Sequence, residues 1–346
     1  MFDKLFGFWS TDMAIDLGTA NTLVYVRGKG IVLNEPSVVA VISRNGRNEV
    51  LAVGEEAKQM LGRTPGNITA IRPMKDGVIA DFIVTEEMIK HFIRKIHKRN
   101  AFANPRIIIC VPTGSTPVER RAIQEAGYAA GARKVQLIEE PVAAAIGAGL
   151  PISEPQASMI VDIGGGTTEV AVISMGGIVT AHSARVAGDE LNEAIVAMFR
   201  KEFSLDIGEN TAEEVKLQLG SAWPLAEELT ADVGGRDITT GLPRAQVITS
   251  EDVRAALDES VGMIIAAIKT TLERTPPELA ADIIGHGLVL SGGGALLAGL
   301  CERVTYETGI HAYLAPEPLY SVVLGCGLTL DNIDAMKGLT TQTSFD

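Results

Sequence analysis

Met159-Ile-Val-Asp-Ile-Gly-Gly-Gly-Thr-Thr-Glu-Val-Ala-Val-Ile-Ser174 is the stretch whose reading decides the fold. Met159 to Ile163 has the aliphatic character of a buried strand and carries one acid, Asp162. Gly164, Gly165 and Gly166 follow, then Thr167 and Thr168, then a second apolar run from Glu169 to Ser174. Three residues without Cβ in a tight turn let backbone N–H groups come close to an anion. Asp162, just before the turn, suits a divalent cation held directly or through water. Strand, acid, glycine turn, hydroxyl and strand read together as a hairpin that grips phosphate and metal. A glycine-rich hairpin with no ligand explains this stretch alone equally well.

An echo near the N-terminus separates the two readings. In Ala14-Ile-Asp-Leu-Gly-Thr-Ala-Asn-Thr-Leu-Val-Tyr-Val26, Asp16 matches Asp162 and Gly18 matches Gly164, with Thr19 or Thr22 standing for the Thr167 pair. The match runs on through strand, turn and strand: Asn21 to Val26, Gly28 to Gly30 and Ile31 to Leu33, against Glu169 to Ser174, Gly176-Gly177 and Ile178 to Thr180. Two copies of one supersecondary unit imply a duplicated domain. Two such hairpins facing each other would clamp a polyphosphate. A paired turn without ligand does not explain why both copies carry an acid.

Composition narrows the class. With 346 residues the chain has room for one to three compact domains. Hydrophobic residues make up 46% and aromatics only 5%, so the core is expected to be aliphatic. A net charge of −13 argues against a nucleic-acid surface and against purely electrostatic adhesion to anionic lipid. Cys110, Cys301 and Cys326 lack metal-site spacing and read as reduced thiols of a cytoplasmic protein. No apolar run reaches the roughly 18 residues of a spanning helix, and the N-terminus lacks the pattern of a signal peptide.

Two further segments complete a set. Ile138-Glu-Glu-Pro-Val-Ala-Ala-Ala145 would connect the halves, and Leu290-Ser-Gly-Gly-Gly-Ala-Leu-Leu297 would serve an adenosine. With the two hairpins, in this order, they resemble the actin-like ATPase superfamily. The wording of Asp16-Leu-Gly-Thr-Ala-Asn-Thr22, Asn34-Glu-Pro-Ser37 and Ile71-Arg-Pro-Met-Lys-Asp-Gly-Val78 is narrower and is similar to the bacterial actins of rod-shaped cells. The resemblance implies an α/β, duplicated, ribonuclease H-like fold, with two lobes and four subdomains around a nucleotide cleft. The expected boundaries are 12–33 with 76–145 and 315–346 for subdomain IA, 34–75 for IB, 146–187 with 243–314 for IIA and 188–242 for IIB. No residues remain for the peptide-binding region of an Hsp70-type chaperone.

Site roles follow from the same resemblance. ATP or ADP with Mg²⁺ is the implied cofactor. Asp16 and Asp162 face the metal through its waters. Gly18, Thr19, Ala20 and Asn21 on one side, and Gly164, Gly165, Gly166 and Thr167 on the other, offer donors to the phosphates. Glu140 and Thr167 position the attacking water, with Glu139 as the rival carboxylate; phosphoryl transfer needs orientation more than covalent chemistry. Glu213 would hold the ribose, with Ala212, Glu214, Val215 and Lys216 beside the base, although Glu and Lys one turn apart ordinarily form a solvated face. Gly292, Gly293, Gly294 and Ala295 would pass flat against the nucleoside; an ordinary strand–helix turn is the plainer reading. Lys75, Asp76 and Val118 are candidates for subunit contacts.

The implied function is an ATP-dependent filament that directs cell-wall elongation from the inner face of the cytoplasmic membrane. Its partners would be further copies of the chain and membrane proteins such as RodZ and MreC. A small-molecule kinase of the same fold and a nucleotide-switched scaffold that never polymerises are the alternatives. For the membrane, Phe2, Leu5, Phe6 and Trp9 fall on one helical face with Phe8 beside it, an aromatic cluster in an aromatic-poor chain. Phe102 would insert next to them. The patterning also predicts a helix capped by Thr85, capping boxes at Thr116 and Thr211, a stop at Pro276-Pro277, and one helix from Ala295 to Thr308.

Overall fold

The computed structural model describes residues 12–44, 47–97, 104–333 and 336–340. The membrane candidates Phe2, Leu5, Phe6, Phe8, Trp9 and Phe102 lie outside the described residues.

Two five-stranded sheets share one topology. In the first, the strands Met13–Leu17, Asn21–Val26 and Gly30–Pro36 lie side by side. Arg106–Val111 runs parallel to Met13–Leu17 on its other flank, and Lys134–Glu139 lies beyond it. In the second sheet, Ser158–Ile163, Thr168–Ser174 and Gly177–Ala184 are neighbours. Leu288–Ser291 runs parallel to Ser158–Ile163, and Ala312–Leu314 follows it. The duplication expected from two short motifs therefore extends to the strand order of both sheets. Runs such as Ile107-Ile108-Ile109 and Met159 to Val161 are buried throughout, because strands covered on both faces need aliphatic side chains at every position.

The chain divides into two compact units. One comprises residues 1–155, 173–178 and 320–346, and the other 156–172 and 179–319. The first has a core built on its sheet with Phe92, Met88 and Ile123. The second is packed from Ile195, Phe199, Ile264 and Ile268. Each sheet has a small companion. Val39–Arg44, Arg47–Val53 and Ile68–Ile71 form a three-stranded sheet inside the expected 34–75 insertion. Leu205–Asp206, Thr230–Asp237 and Pro243–Thr249 form the other. It extends past residue 242, because Pro243–Thr249 pairs with Thr230 to Arg236.

Helix starts follow local chemistry, and four differ from the sequence expectation. Thr116 and Glu119 make a reciprocal capping box as expected. Thr85, however, lies inside the helix Phe82–His97. Asp81 caps it, its Oδ1 accepting from the Val84 N–H at 3.1 Å, and Thr85 turns its buried hydroxyl onto the Asp81 carbonyl. Thr211 likewise sits within Glu209–Leu219, which starts after Gly208. Pro276-Pro277 ends one helix, Ser250–Glu273, and Pro277 opens another, Pro277–His286, since a first-turn proline loses no hydrogen bond. The segment after Gly292 is a short 3₁₀ turn, Gly293–Leu296, then a helix Leu300–Thr308. Gly299 separates them at φ 73°, where an added Cβ would meet the Trp223 Cβ at 2.5 Å.

The small-residue helix is Glu140–Gly147, and it packs against Ser321–Asp331. A Cβ on Gly147 would lie 1.8 Å from the Ser321 carbonyl oxygen, and one on Gly325 1.8 Å from that of Ala143. Both helices belong to the first unit, so this helix does not cross to the second. No helix among the described residues is long and apolar enough to cross a membrane.

Candidate functional site

Each unit carries one acid and one pinned turn. In the first, Asp16 sits near the end of its strand and Gly18 opens the turn. A Cβ on Gly18 would meet the Asn21 carbonyl oxygen at 2.7 Å, so the turn closes only with glycine. Ser37, just after Pro36, holds this turn twice. Its N–H donates to the Ala20 carbonyl at 2.9 Å, and its hydroxyl donates to the Gly18 carbonyl at 2.6 Å. In a trans peptide the C=O and the following N–H point in opposite directions. Fixing the Gly18 and Ala20 carbonyls therefore aims the Thr19 and Asn21 N–H groups away from Ser37. Thr22 is buried against the Ser37 hydroxyl at 2.9 Å, so of the two candidate threonines it is the structural one. Thr19 is buried too, and its oxygen accepts the Gly77 N–H at 3.2 Å.

Gly77 belongs to a two-residue hairpin turn, with Asp76 at φ 50° and Gly77 at φ 74°, between Met74–Lys75 and Val78–Ile79. Positive φ at both positions is the requirement that Asp-Gly meets in such turns. Asp76 thus has a backbone role beside the Gly18 turn, while Lys75 is exposed.

The second unit repeats the device with different residues. The Gly188 N–H donates to the Gly164 carbonyl at 3.2 Å, and the Asp189 N–H to the Gly165 carbonyl at 2.7 Å. Both donors are at the start of the helix Gly188–Phe203. The Gly165 and Gly166 N–H groups are thereby aimed away from that helix. The turn is closed by the Gly164 N–H on the Thr167 carbonyl at 2.9 Å. Thr167 is buried, and Thr168 donates to the Val186 carbonyl at 2.6 Å. Lys216 donates to the Gly188 carbonyl at 2.9 Å, tying the helix Glu209–Leu219 to the same joint.

Both acids are held from a neighbouring strand. Ser291 donates to Asp162 Oδ1 at 2.6 Å, and the Cys110 thiol donates to Asp16 Oδ1 at 3.2 Å. Burial raises the Asp16 carboxyl to about 6, with the Cys110 hydrogen bond opposing the shift. The Cys110 thiol is itself pushed well up, by its hydrogen bond with Cys326 first and then by burial. Among the described residues no group of three or more His, Cys, Asp or Glu forms a cage for a metal. One carboxylate oxygen donor per unit fits a hard cation such as Mg²⁺, which keeps waters and takes its remaining ligands from substrate phosphates.

The two rival glutamates have different neighbours. Glu139 ends its strand and is paired with Arg120 at 3.0 Å. Glu140 opens the helix Glu140–Gly147 and lies near enough to Cys110 to raise its thiol. In the stretch expected to serve the nucleoside, Ala212 and Val215 turn their side chains into the core of their unit. Gly292 and Gly294 owe their identity to packing: a Cβ on either would strike Ile163, at 2.2 Å on its carbonyl oxygen and 2.3 Å on its side chain. A Cβ on Gly293 would meet only ordinary contact, and Ala295 is buried. Val118 is 77% exposed at the start of its helix.

Ser37, Gly77, Cys110, Gly188 and Ser291 were given no role from the sequence. Ser37 had a signal, a hydroxyl straight after Glu-Pro at a strand end. The others reach the site only through strand pairing and tertiary packing.

Comparison with known proteins is consistent across sequence and structure. The model of the family described as MreB/Mbl protein matches residues 10–338. The cell shape-determining protein MreB of Escherichia coli K12 is 54% identical over 342 residues, 98% of each chain. The cell shape-determining protein Mbl of Bacillus subtilis 168 is 52% identical over 328 residues, 95% of this chain and 98% of its own. MreB5 of Spiroplasma citri, in crystals bound to ADP, superposes with a TM-score of 0.89 at 37% identity, covering 95% of this chain and 98% of that one. In fold alone, the chain of a MamK double helical filament is similar, with a TM-score of 0.79 at 22% identity over 93% and 99% of the two chains. The expected actin-like fold is the observed one. By its family match and by these identities, the chain belongs to the MreB/Mbl family.

Proposed function

We propose that this protein binds ATP with Mg²⁺, assembles into filaments on the inner face of the cytoplasmic membrane, and directs cell-wall elongation and rod shape. The carrying observation is the repeated half-site: in each unit an acid held by a strand neighbour precedes a turn whose carbonyls are bonded away. The crystal structures of Spiroplasma citri MreB5 with ADP and with AMPPNP support a nucleotide as the ligand. The named relatives determine cell shape, which supports the cellular role.

In this reading each half-site binds nucleotide phosphate. The N–H groups of Thr19, Asn21, Gly165 and Gly166 bind phosphate oxygens. Asp16 and Asp162 would hold Mg²⁺ through its waters, and the cation would supply charge neutralisation along the phosphates. Glu140 accepts a hydrogen bond from the attacking water and Thr167 fixes its second direction. Glu213 takes the ribose hydroxyls, and Lys216 keeps the adjoining helix in place. Hydrolysis is slow and weakens assembly. RodZ- and MreC-type membrane proteins are the proposed link to the wall-synthesis machinery.

Ultracentrifugation with ATP and Mg²⁺, with and without liposomes, tests the reading. Nucleotide-dependent pelleting is expected. A protein that stays in the supernatant at every concentration and lipid condition would be a kinase or a non-polymerising switch instead.

A further inference from the structure

The strand beside each acid carries a donor at the same place in the ladder. Asp162 is directly opposite Ser291 in the parallel pairing of Ser158–Ile163 with Leu288–Ser291. In the other unit Met13, Ala14 and Ile15 pair with Ile107, Ile108 and Ile109, so one step further sets Asp16 beside Cys110. Each donor bonds the Oδ1 atom, at 2.6 Å from Ser291 and 3.2 Å from Cys110. Both donors are almost wholly buried. Around them the sequences differ, Ile-Ile-Ile-Cys110-Val-Pro against Leu-Val-Leu-Ser291-Gly-Gly. A small side chain with one donor is common to both.

We propose that Cys110 and Ser291 are equivalent positioning residues, each fixing the carboxylate of a cation-facing aspartate from the adjacent parallel strand. The inference rests on the reading of Asp16 and Asp162 as the Mg²⁺-facing acids. A carboxylate on a short side chain rotates about its last bond; a donor fixed on one oxygen sets the plane of the group. The second oxygen then keeps one direction relative to the phosphate turn that begins two residues later. The serine hydroxyl is the stronger donor and the thiol the weaker one, so the Asp162 side is held more tightly than the Asp16 side.

ADP affinity, measured with Mg²⁺ and separately with EDTA, tests this on the full-length protein. Ser291→Ala should weaken Mg²⁺-ADP binding about 10-fold, the lower end for loss of a partner behind a metal-facing ligand, and leave metal-free ADP affinity within about 2-fold. Cys110→Ala should act in the same direction but less. The donor-keeping exchanges Ser291→Cys and Cys110→Ser should restore most of the Mg²⁺ dependence. Thermal melts identify a variant that does not fold, and the two exchanges then carry the test: Ser291→Cys should fall between wild type and full loss, and Cys110→Ser should at least equal wild type. Equal losses with Mg²⁺ and with EDTA, or wild-type Mg²⁺ dependence in both alanine variants, would overturn the proposal. Asp16→Asn and Asp162→Asn run alongside. If they lose Mg²⁺ dependence and the donor variants do not, only the positioning role fails. If the aspartate variants also keep it, the cation reading itself falls.

Discussion

Glu139 and Glu140 carry the same group on adjacent residues, and the end of one strand gives them different surroundings. Glu139 is neutralised by Arg120; Glu140 begins a helix at the edge of the Asp16–Cys110 cluster. Glu140→Ala should slow phosphate release by about 100-fold or more, the scale of losing a positioned acid–base group, with ADP affinity nearly unchanged. Glu139→Ala should keep the rate within several-fold. A single-turnover assay distinguishes them. Asp16 supports a prediction in pH. Its carboxyl titrates near 6 in the folded protein against 3.8 for an ordinary aspartate, so the native state binds the proton more tightly than the unfolded one. Its contribution is full below about pH 4 and is lost as pH rises through about 6. Melting of nucleotide-free protein should therefore show a decline across that window that Asp16→Asn lacks, and the variant should be the more stable at pH 7, by roughly 3 kcal/mol. At this scale the sequence exposes what is contiguous. Asp16, Asp162 and the glycine turns stand in unbroken motifs. Ser291 and Cys110 are brought to them across 129 and 94 residues of chain, and no local pattern encodes that pairing.

Helices and strands were legible where side chains alternate cleanly, and their ends less so. Thr85 and Thr211 both have the residue type of a cap, yet the helices start earlier: Asp81 caps the one, and the other starts directly after Gly208 with no side-chain cap. The helix Pro277–His286 was missed since two prolines read as a stop, although the second one begins a new element. The contact between Glu140–Gly147 and Ser321–Asp331 shows why small residues accumulate there: backbone lies on backbone, with no room for a methyl group. Gly325→Ala should destabilise the protein by about 3 kcal/mol, the upper range for overpacking a closed interface. Chemical denaturation would measure it, and Gly131→Ala, where an added Cβ meets nothing within 4 Å but φ is 105°, serves as a control for backbone strain alone.

Across the molecule, duplication is the feature that the sequence disclosed best and the structure enlarges most. Two motifs of a few residues foretold two sheets of identical strand order. The divergent parts, the two small sheets, share no motif with each other, and Pro243–Thr249, which completes the second, carries mixed side chains with no clean alternation. The terminal segment supplies a separate prediction. Removing residues 2–9 takes away Phe2, Leu5, Phe6, Phe8 and Trp9, each able to contribute about 1.5–3 kcal/mol on full burial in lipid. One copy must also order its backbone, at about 1–2 kcal/mol per residue, so adhesion depends on many copies in one filament. The truncated protein should assemble with ATP and Mg²⁺ in solution but no longer sediment with liposomes. Full co-sedimentation would place the anchor elsewhere.

The joint at Gly164–Gly165, Gly188 and Lys216 has a mechanical consequence. A turn bonded through two carbonyls to the first residues of a helix has little slack, so displacement of the turn becomes rotation of the helix. Gly188–Phe203 has 16 residues and is therefore about 24 Å long; a tilt of about 2° at its base moves its tip by nearly 1 Å over that arm. At the tip, Arg200 grips Asp206 at 2.8 Å, and Asp206 grips Arg236 at 2.9 Å on the strand Thr230–Asp237. A ligand at the turn would in this way be geared to the hairpin of Thr230–Asp237 and Pro243–Thr249 in the same unit, with a stiff rod between them and a charged coupling at its end.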